Sequence, residues 1–314
     1  MATMWPAGEQ PRVRKPLVGY VMVLVAATLF GVNGSVAKVA LSSGLSSLRL
    51  TEARCAGACA GLMLFAFVRD RASLRIRRDQ VLRLAVFGVC GVALVQLFYF
   101  LAIHRLDIGI ALLIQYLGPL LVAIYARTFG HERVRRRIWA ALALSLTGLA
   151  LMVELWNGVS LDGLGVAFAL ISAVIFAGYL LQAEHEVATR DSVSLMAWGF
   201  FFATIFWTVA QPWWSFPAGR VARTVSLQGH LASWHLPVWA LVLWVVVLGS
   251  IVPFSLIVAA LRHVSATRVG IAAMLEPVVA TIVAWAWLRE TLSPVQLAGA
   301  AVVLAAILLA QTAR

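Results

Sequence analysis

Charged side chains are scarce in this sequence, and acidic ones are the scarcest. Only 12% of its 314 residues are charged, and Asp and Glu together number 13. A soluble globular chain carries about 25% charged and about 45–50% apolar residues. This chain is 62% hydrophobic, with a mean hydropathy of +0.92. Because a soluble fold of this length could not hide so much apolar surface, lipid must be the solvent for most of it.

Cysteine and histidine are also rare, which argues against a metal site. Cys55, Cys59 and Cys90 all lie in apolar runs. A Cys-x-x-x-Cys pair on one helix face could hold a soft metal, but no histidine or further cysteine lies close in sequence to complete the site. We interpret the three as small packing residues. The sequence also has no Gly-x-x-x-x-Gly-Lys-Ser/Thr run, the phosphate-binding loop of many nucleotide-driven proteins. It therefore predicts no metal, cofactor or nucleotide site.

Long apolar runs fill most of the chain. A run of about twenty apolar residues is long enough to cross a bilayer as a helix. The sequence predicts an all-α integral membrane protein with ten transmembrane helices. The predicted spans are 17–40, 48–68, 83–103, 108–129, 138–156, 163–183, 194–215, 237–260, 267–288 and 294–312. The longest interruption, residues 212–237, is rich in tryptophan. We expect it at the membrane interface, which tryptophan favours.

Positive charges indicate the orientation. The net charge of +12 would also suit a nucleic-acid binder, but the arginines lie in short clusters between apolar runs, such as Arg69–Arg78 and Arg133–Arg137. With the N-terminus inside, eighteen lysines and arginines fall on the inner side and four on the outer side, while Lys38, Arg49 and Arg54 lie within or at the edge of spans and are not counted. The positive-inside rule then predicts a multi-pass protein of the cytoplasmic membrane with both termini cytoplasmic, and no nucleic-acid partner. The basic segment 1–16 is predicted to be cytoplasmic. The first run is too long for a signal-peptide core, so we expect it to be retained.

The two halves of the chain resemble each other. A stretch of the fourth span aligns without gaps with a stretch of the ninth. In each, a proline is followed thirteen residues later by a glutamate: Pro119 and Glu132 in one, Pro277 and Glu290 in the other. Five spans per half is an odd number, so the halves must cross the membrane in opposite directions. Inverted repeats are common in secondary transporters, whose substrate site lies between them near the midplane. The predicted repeats are residues 17–156 and 163–312.

Several short motifs resemble one family. The first two spans hold "LFGVNGSVAKVAL" and "LTEARCAGA", and the third and eighth end in "FYFLAIHRL" and "LIVAALRHV". The ninth span carries the Pro…Glu stretch and is followed by "RETLSPVQLAGAAVVLAA". With the ten spans and the duplicated proline and glutamate, these motifs resemble the EamA-type transporters of the drug/metabolite transporter (DMT) superfamily over residues 17–312. Arg289 departs from the pattern, because that family usually has glycine there.

The resemblance implies a function. Members of that family are secondary transporters, so we expect export of small metabolites, amino acids or amphiphilic compounds by alternating access, and no enzymatic activity. The expected partners are a small-molecule substrate and membrane lipid, while proton coupling and a homodimer are left open. The alternatives are a membrane-embedded lipid-modifying enzyme and a membrane protein without transport activity. Such an enzyme needs convergent histidine and carboxylate groups, whereas most acidic residues here lie in loops away from histidine.

Glu276 is the first candidate for the transport path. It lies eight residues after Arg268, about 12 Å from the inner edge of the ninth span at about 1.5 Å per residue. A charge near mid-bilayer costs about 2.5–3.5 kcal/mol, so such groups usually face a cavity or a partner. Glu276 could bind a substrate ammonium or take up a proton. The structural alternative is a carboxylate paired with Lys38 or Arg54, or one held by backbone donors. The equivalent position in the first repeat is Gly118.

Other charged residues lie nearer the span ends. Glu132 and Glu290 are predicted to cap the helix that follows each of them, because a helix N-terminus favours negative charge. Pairing within the membrane is predicted among Lys38, Arg49, Glu52 and Arg54. Arg49 and Glu52 are three residues apart on one helix face and can pair. Arg54 lies deeper and needs a partner; its alternative role is to bind a carboxylate or to close the outer gate.

Uncharged polar residues within the spans predict a central amphiphilic cavity, although helix packing explains any single one at least as well. The candidates are Asn33, Gln96, Tyr99, Gln115, Tyr116, Tyr179, Gln182 and Ser250. Prolines within spans free backbone carbonyls, which neighbouring groups or water must satisfy. The predicted helix breaks or hinges are at Pro119, Pro253 and Pro277. Interrupted helices at mid-depth mark where transporter repeats move against each other.

Overall fold

The computed structural model describes residues 15–130, 134–156 and 162–312. In these ranges, ten helices are long and apolar enough to cross a membrane, which confirms the predicted all-α membrane fold. They are α1 (Pro16–Leu41), α2 (Ser47–Arg69), α3 (Arg78–Ile103), α4 (Ile108–Thr128), α5 (Arg136–Val153), α6 (Gly163–Glu186), α7 (Ser192–Ala210), α8 (Val238–Ala260), α9 (Ala266–Leu288) and α10 (Pro294–Thr312). Every limit lies within five residues of the predicted one.

The helices pack as two five-helix repeats, α1–α5 and α6–α10, in inverted orientation. Helix α2 packs against its counterpart α7, and α5 packs against its counterpart α10. Helix α1 contacts α8 and α9, and in the corresponding position α6 contacts α3 and α4. Exchanging the two repeats leaves this set of contacts unchanged, as a pseudo-two-fold axis between them requires. The main helix contacts therefore run between the repeats.

Small residues allow the closest of these contacts. Where α5 crosses α10, a Cβ on Gly148 would lie 2.8 Å from the carbonyl oxygen of Gly299, and a Cβ on Gly299 would lie 2.6 Å from that of Gly148. Glycines at such a crossing let two backbones approach each other within the membrane, where van der Waals packing drives helix association. This crossing holds the last helices of the two repeats together.

Helical irregularities also occur in pairs. Helix α3 contains a π-helical segment, Phe87–Leu94, and its counterpart α8 contains another, Val247–Ile251. Pro253 stands in the first turn after the second of these segments. Helix α8 continues through this position, so the predicted break at Pro253 is wrong: the helix has a π-helical irregularity there and no interruption. A proline inside a helix removes one backbone hydrogen bond. No sequence pattern predicted the π-helical segments.

Helices α4 and α9 are each interrupted near their middle. The segments are Ile108–Gln115 and Gly118–Thr128 in α4, and Ala266–Ala273 and Leu275–Leu288 in α9. Pro119 and Pro277 both lie in the first turn of the second segment. Each break therefore comes just before its proline, on the side where the proline ring would clash with a continuous helix.

The start of α10 corrects one prediction. Its cap is Ser293, whose hydroxyl accepts the N–H of Gln296 at 3.1 Å while the Gln296 side chain accepts the N–H of Ser293 at 3.1 Å. This reciprocal arrangement satisfies donors that the first helical turn leaves free. The prediction that Glu290 caps this helix is wrong, because its carboxylate instead pairs with Lys38. Glu132, for which the same role was expected, lies outside the described residues.

The two ends of the helix bundle differ in character. The arginine-rich end holds the turns 70–77, 187–191 and 261–265. The opposite end holds the connection between α7 and α8, which forms an antiparallel hairpin of β1 (Thr224–Ser226) and β2 (His235–Pro237). We call it the hairpin end. Trp214 and Trp234 of this connection are exposed, an arrangement suited to the interfacial position that the sequence predicts.

Candidate functional site

The two interrupted helices meet at their breaks. Tyr116 lies at the break of α4, and its hydroxyl donates a hydrogen bond to Oε2 of Glu276 at 3.0 Å. The same hydroxyl oxygen lies 3.4 Å from the carbonyl oxygen of Ala273. Beside them, Pro119 packs on Gly270, where a Cβ would lie 2.6 Å from the proline Cγ. The structure thus brings two predicted residues, Tyr116 and Glu276, into a bond that joins the repeats.

The two breaks differ in their chemistry. The position equivalent to Glu276 in the first repeat is Gly118, which is buried against Phe176. A Cβ on Gly118 would lie 2.7 Å from the Cδ1 atom of that ring, so the first repeat leaves no room there for a longer side chain. The carboxylate at the meeting point of the breaks therefore comes from the second repeat alone.

Neighbouring groups offset part of the cost of burying the Glu276 carboxylate. It occupies the first turn of the second segment of α9, where free N–H groups and the helix dipole favour negative charge. Arg54 of α2 and Tyr99 of α3 both interact with it electrostatically. Part of the Glu276 surface remains exposed. Of the two partners that the structural alternative offered, Arg54 is near, whereas Lys38 lies 2.7 Å from Glu290.

Arg54 has hydrogen-bond donors that are not used. Its Nε and Nη2 atoms are buried and have no acceptor within the described part of the chain. Its Cζ atom lies 6.0 Å from the centroid of the Phe254 ring, at the limit of a cation–π contact. A buried donor without an acceptor destabilises a folded protein by about 1–3 kcal/mol. A ligand carboxylate beside Arg54 would supply the missing acceptor.

Aromatic rings cluster around Phe254, the ring that lies beside this guanidinium. The Phe254 ring lies 5.1 Å from that of Phe30, 5.5 Å from that of Phe200 and 6.4 Å from that of Tyr179, measured between centroids. The Tyr179 hydroxyl is buried and has no partner among the described residues. Apolar walls with a few polar groups are typical of small-molecule sites. The sequence analysis missed Phe254 and Phe30, because phenylalanine in an apolar span carries no signal that separates binding from packing.

Three further candidate residues lie in helices that surround the group of Glu276 and Arg54. The Gln115 side chain donates to the Ser172 hydroxyl at 3.0 Å. Ser250 is fully buried, and its hydroxyl donates to a carbonyl oxygen in its own helix at 2.9 Å. The side-chain oxygen of Asn33 is buried against Gly249, and no described residue donates a hydrogen bond to it. Gln115 and Ser250 thus have structural partners, and Asn33 keeps a free acceptor.

The structure does not bring the two remaining glutamines to the group around Glu276. The Gln182 side chain donates to the carbonyl oxygen of Arg83 at 2.7 Å, toward the arginine-rich end. It therefore ties α6 to α3 away from the breaks, which corrects its expected place in the central cavity. Gln96 is partly buried in α3, and no hydrogen bond among the described residues connects it to Glu276.

Side chains close the hairpin end across the two repeats. Arg49 lies 2.7 Å from the buried carboxylate of Glu52, and its other terminal nitrogen donates to the Ser215 hydroxyl at 2.6 Å. Arg220 donates to the carbonyl oxygen of Gly44. Both bonds connect the first repeat to the connection between α7 and α8. At the arginine-rich end, by contrast, two cavities of about 410 and 130 Å³ lie between the turns.

Comparison with known proteins identifies the family. A model described as "EamA-like transporter family" matches residues 17–154 and 163–312. The chain belongs to this family. As an EamA-like protein it is a multi-pass membrane transporter, and the resemblance drawn from the sequence motifs is confirmed.

Two relatives of this EamA-like transporter are named as exporters. The threonine/homoserine exporter RhtA of Escherichia coli (strain K12) is 30% identical over 296 residues, which cover 91% of this chain and 88% of that protein. The pseudopaline exporter CntI of Pseudomonas aeruginosa (strain UCBPP-PA14) is 26% identical over 194 residues, covering 62% and 65%. A crystal structure of another protein superposes with a TM-score of 0.72 over 94% of this chain and 95% of its own, at 17% identity. At that identity the likeness shows the fold alone.

Proposed function

We propose that this EamA-like transporter exports small zwitterionic metabolites, amino acids above all, and that it has no enzymatic activity. The observation that carries the proposal is the pair of opposite charges at the centre of the bundle. Glu276 is partly exposed, and Arg54 has buried donors without acceptors among the described residues. A zwitterion offers one group to each: its ammonium to the carboxylate and its carboxylate to the guanidinium.

The surroundings fit an amphiphilic ligand of this kind. Phe254 and the rings around it offer apolar surface for an aliphatic side chain, while Tyr116 fixes the position of the Glu276 carboxylate. The relative that covers 91% of this chain is named a threonine/homoserine exporter. Threonine and homoserine are both small amino acids. The remaining polar candidates, Asn33 and Tyr179, have atoms free to bind a polar substituent.

We place the transporter in the cytoplasmic membrane with both termini in the cytoplasm, so that the arginine-rich end faces inward. The closed hairpin end and the cavities at the arginine-rich end suit a state that receives substrate from inside. Alternating access then requires the repeats, residues 17–156 and 163–312, to move about the breaks in α4 and α9. The orientation is checked by fusing a fluorescent protein or alkaline phosphatase to the C-terminus: fluorescence without phosphatase activity is expected, and the reverse would overturn it.

Counterflow in proteoliposomes tests the function. Purified protein is reconstituted with unlabelled threonine inside, and uptake of labelled threonine is measured against competitors. Zwitterionic amino acids should compete. The amine 1-amino-2-propanol lacks the carboxylate and 3-hydroxybutyrate lacks the ammonium, so each loses one ionic contact. Each should compete about tenfold less, which corresponds to about 1.4 kcal/mol. Protein-free liposomes are the control. Absence of protein-dependent exchange for every amino acid, with conversion of the membrane lipid instead, would favour the enzyme alternative.

A further inference from the structure

A polar cavity lies at the arginine-rich end, apart from the group around Glu276. It measures about 410 Å³ and is lined by residues 187–191, in the turn between α6 and α7, and by Arg262 and His263, in the turn between α8 and α9. Small-molecule sites usually occupy about 300–1,000 Å³. We call this cavity the vestibule. Arg262 lies eight residues after Phe254, about 12 Å along the chain at the helical rise.

Arg262 offers the vestibule an unused donor. Its Nη2 atom donates to the carbonyl oxygen of Arg190 at 2.8 Å, which fixes the guanidinium at the cavity wall. Its Nε atom is buried and has no acceptor in the ranges that the structure describes. The Asp191 carboxylate lines the same cavity: its Oδ1 atom lies 4.0 Å from Nη2 of Arg262, while its Oδ2 atom accepts the N–H groups of Val193 and Ser194. At 4.0 Å the ion pair is loose, so Asp191 neutralises only part of the arginine's charge and leaves its Nε donor without an acceptor among the described residues.

His263 adds a second unused polar atom beside it. Its Nδ1 is buried and has no hydrogen-bond partner among the described residues. Both terminal nitrogens of Arg190, by contrast, are engaged: they donate to the Ser73 carbonyl, the Ser194 hydroxyl and the Gln80 side chain. The vestibule thus has a rigid wall and two lining side chains, Arg262 and His263, each with a buried polar atom that has no partner among the described residues.

We propose that the vestibule is an entry site that binds the carboxylate of the transported metabolite before it reaches Arg54 and Glu276. An arginine presents its donors in a planar fork that matches a carboxylate, and the neighbouring imidazole can donate to the same group. The inference rests on the proposed export of zwitterions, since it assigns their carboxylate a first contact on the cytoplasmic side. A lipid phosphate offers the same oxyanion chemistry, so the test separates the two sources.

The test measures protection of a cysteine placed in the vestibule. Thr189 lines the cavity and is exposed, so Thr189→Cys is made after Cys55, Cys59 and Cys90 are replaced by alanine. The alkylation rate by a maleimide is measured on the full-length protein in detergent. Threonine should slow alkylation by at least about threefold, a modest effect for a site that is about two-thirds occupied. The amine 1-amino-2-propanol, which lacks the carboxylate, should not slow it.

Variants assign the protection to the vestibule. Arg262→Gln should abolish protection by threonine, while Arg75→Gln, which removes one exposed arginine charge at the same end, should retain it. Should Arg262→Gln fail to fold, Arg262→Lys and His263→Gln carry the test, each with weakened protection expected. Protection that survives all three substitutions would overturn the proposal. So would protection by glycerol phosphate and not by threonine, because the oxyanion would then be a lipid headgroup.

The protection test of the vestibule and the counterflow test of the central site can give different answers. Arg54→Gln should stop counterflow and leave vestibule protection in place. Protection without counterflow of any amino acid in the wild-type protein would refute the proposed export but keep the vestibule as a carboxylate site. Counterflow without protection would refute the vestibule alone.

Discussion

Substituting glutamine for Glu276 tests the centre of the proposed mechanism. Glutamine has the same size, and its amide oxygen can still accept the bond from Tyr116 that the structure shows at 3.0 Å. What disappears is the charge that would bind a substrate ammonium. Hydrogen bonds to charged groups contribute about 1.5–3 kcal/mol and neutral ones about 0.5–1.5 kcal/mol. The difference of about 1–2 kcal/mol corresponds to a 5- to 30-fold loss at about 1.4 kcal/mol per factor of ten.

The assay is threonine counterflow in proteoliposomes, with protein amount and thermal stability measured on the same sample. Glu276→Gln should lower the exchange rate 5- to 30-fold, as worked out above, while the protein stays folded. The matched control is Glu290→Gln, because the Lys38–Glu290 pair is about half exposed, at 59% and 48%. Exposed ion pairs contribute about 0–1 kcal/mol, so its transport should stay close to that of the wild type.

Two results would refute the reasoning. Folded Glu276→Gln protein with wild-type exchange would show that the charge has no part in transport. Loss of folded protein would show that Glu276 is structural. Tyr116→Phe then separates the role of the carboxylate charge from the role of its hydrogen bond, since this variant removes the bond to Glu276 but keeps the carboxylate. If Tyr116→Phe lowered stability and transport as much as Glu276→Gln, the effect of Glu276→Gln would come from weakening the charge-assisted bond to Tyr116 that joins the repeats.

Further predictions concern stability, measured by thermal unfolding in detergent. Arg49→Ala leaves the buried carboxylate of Glu52 without its ion-pair partner and should destabilise the protein by about 3 kcal/mol. Adding Glu52→Gln should recover part of this loss. A double variant as unstable as Arg49→Ala would contradict the pairing. Gly148→Leu forces a side chain into the crossing of α5 and α10 and should cost about 1–3 kcal/mol or more, whereas Thr147→Leu, one residue away and exposed, should be nearly neutral. Equal effects would exclude the close crossing as the cause. Arg289→Gly should stabilise by about 1 kcal/mol, because Arg289 has φ 61° and only glycine adopts the left-handed region without strain; an unchanged or lower melting temperature would contradict this.

Hydropathy was enough to predict the helices, because the bilayer imposes a length on every span. The shared spacing from proline to glutamate, with five spans in each half, predicted the inverted repeats. The sequence motif also carried conformational information at Arg289. The family usually has glycine there, and the structure shows a left-handed backbone conformation at this position. The pairing of Tyr116 with Glu276 was not predicted as a pair. Both were candidates, but only the packing of the breaks shows that they meet.

What the sequence could not supply depends on packing between distant helices. Phe254 looks like any apolar residue of its span, and its contacts with Arg54 and Phe30 come from three helices that meet only in the fold. The π-helical segments also lack a sequence signal. Gln182 shows the opposite error, since a polar residue in a span was expected in the cavity and instead bonds a backbone carbonyl elsewhere.

The glycine at position 118 has a thermodynamic consequence. Because no carboxylate stands opposite Glu276 in the first repeat, a cycle driven by protonation of this site would carry one proton for each substrate. One elementary charge moved through 100 mV is worth about 2.3 kcal/mol, which sustains a concentration ratio of about 50 at about 1.4 kcal/mol per factor of ten. With a carboxylate in each repeat, two protons could accompany each substrate, and the sustained concentration ratio of the substrate would be the square of that value. In such a proton-driven cycle Gly118 would set the ceiling on the gradient that the membrane potential can maintain, and a reversal potential in proteoliposomes would measure it.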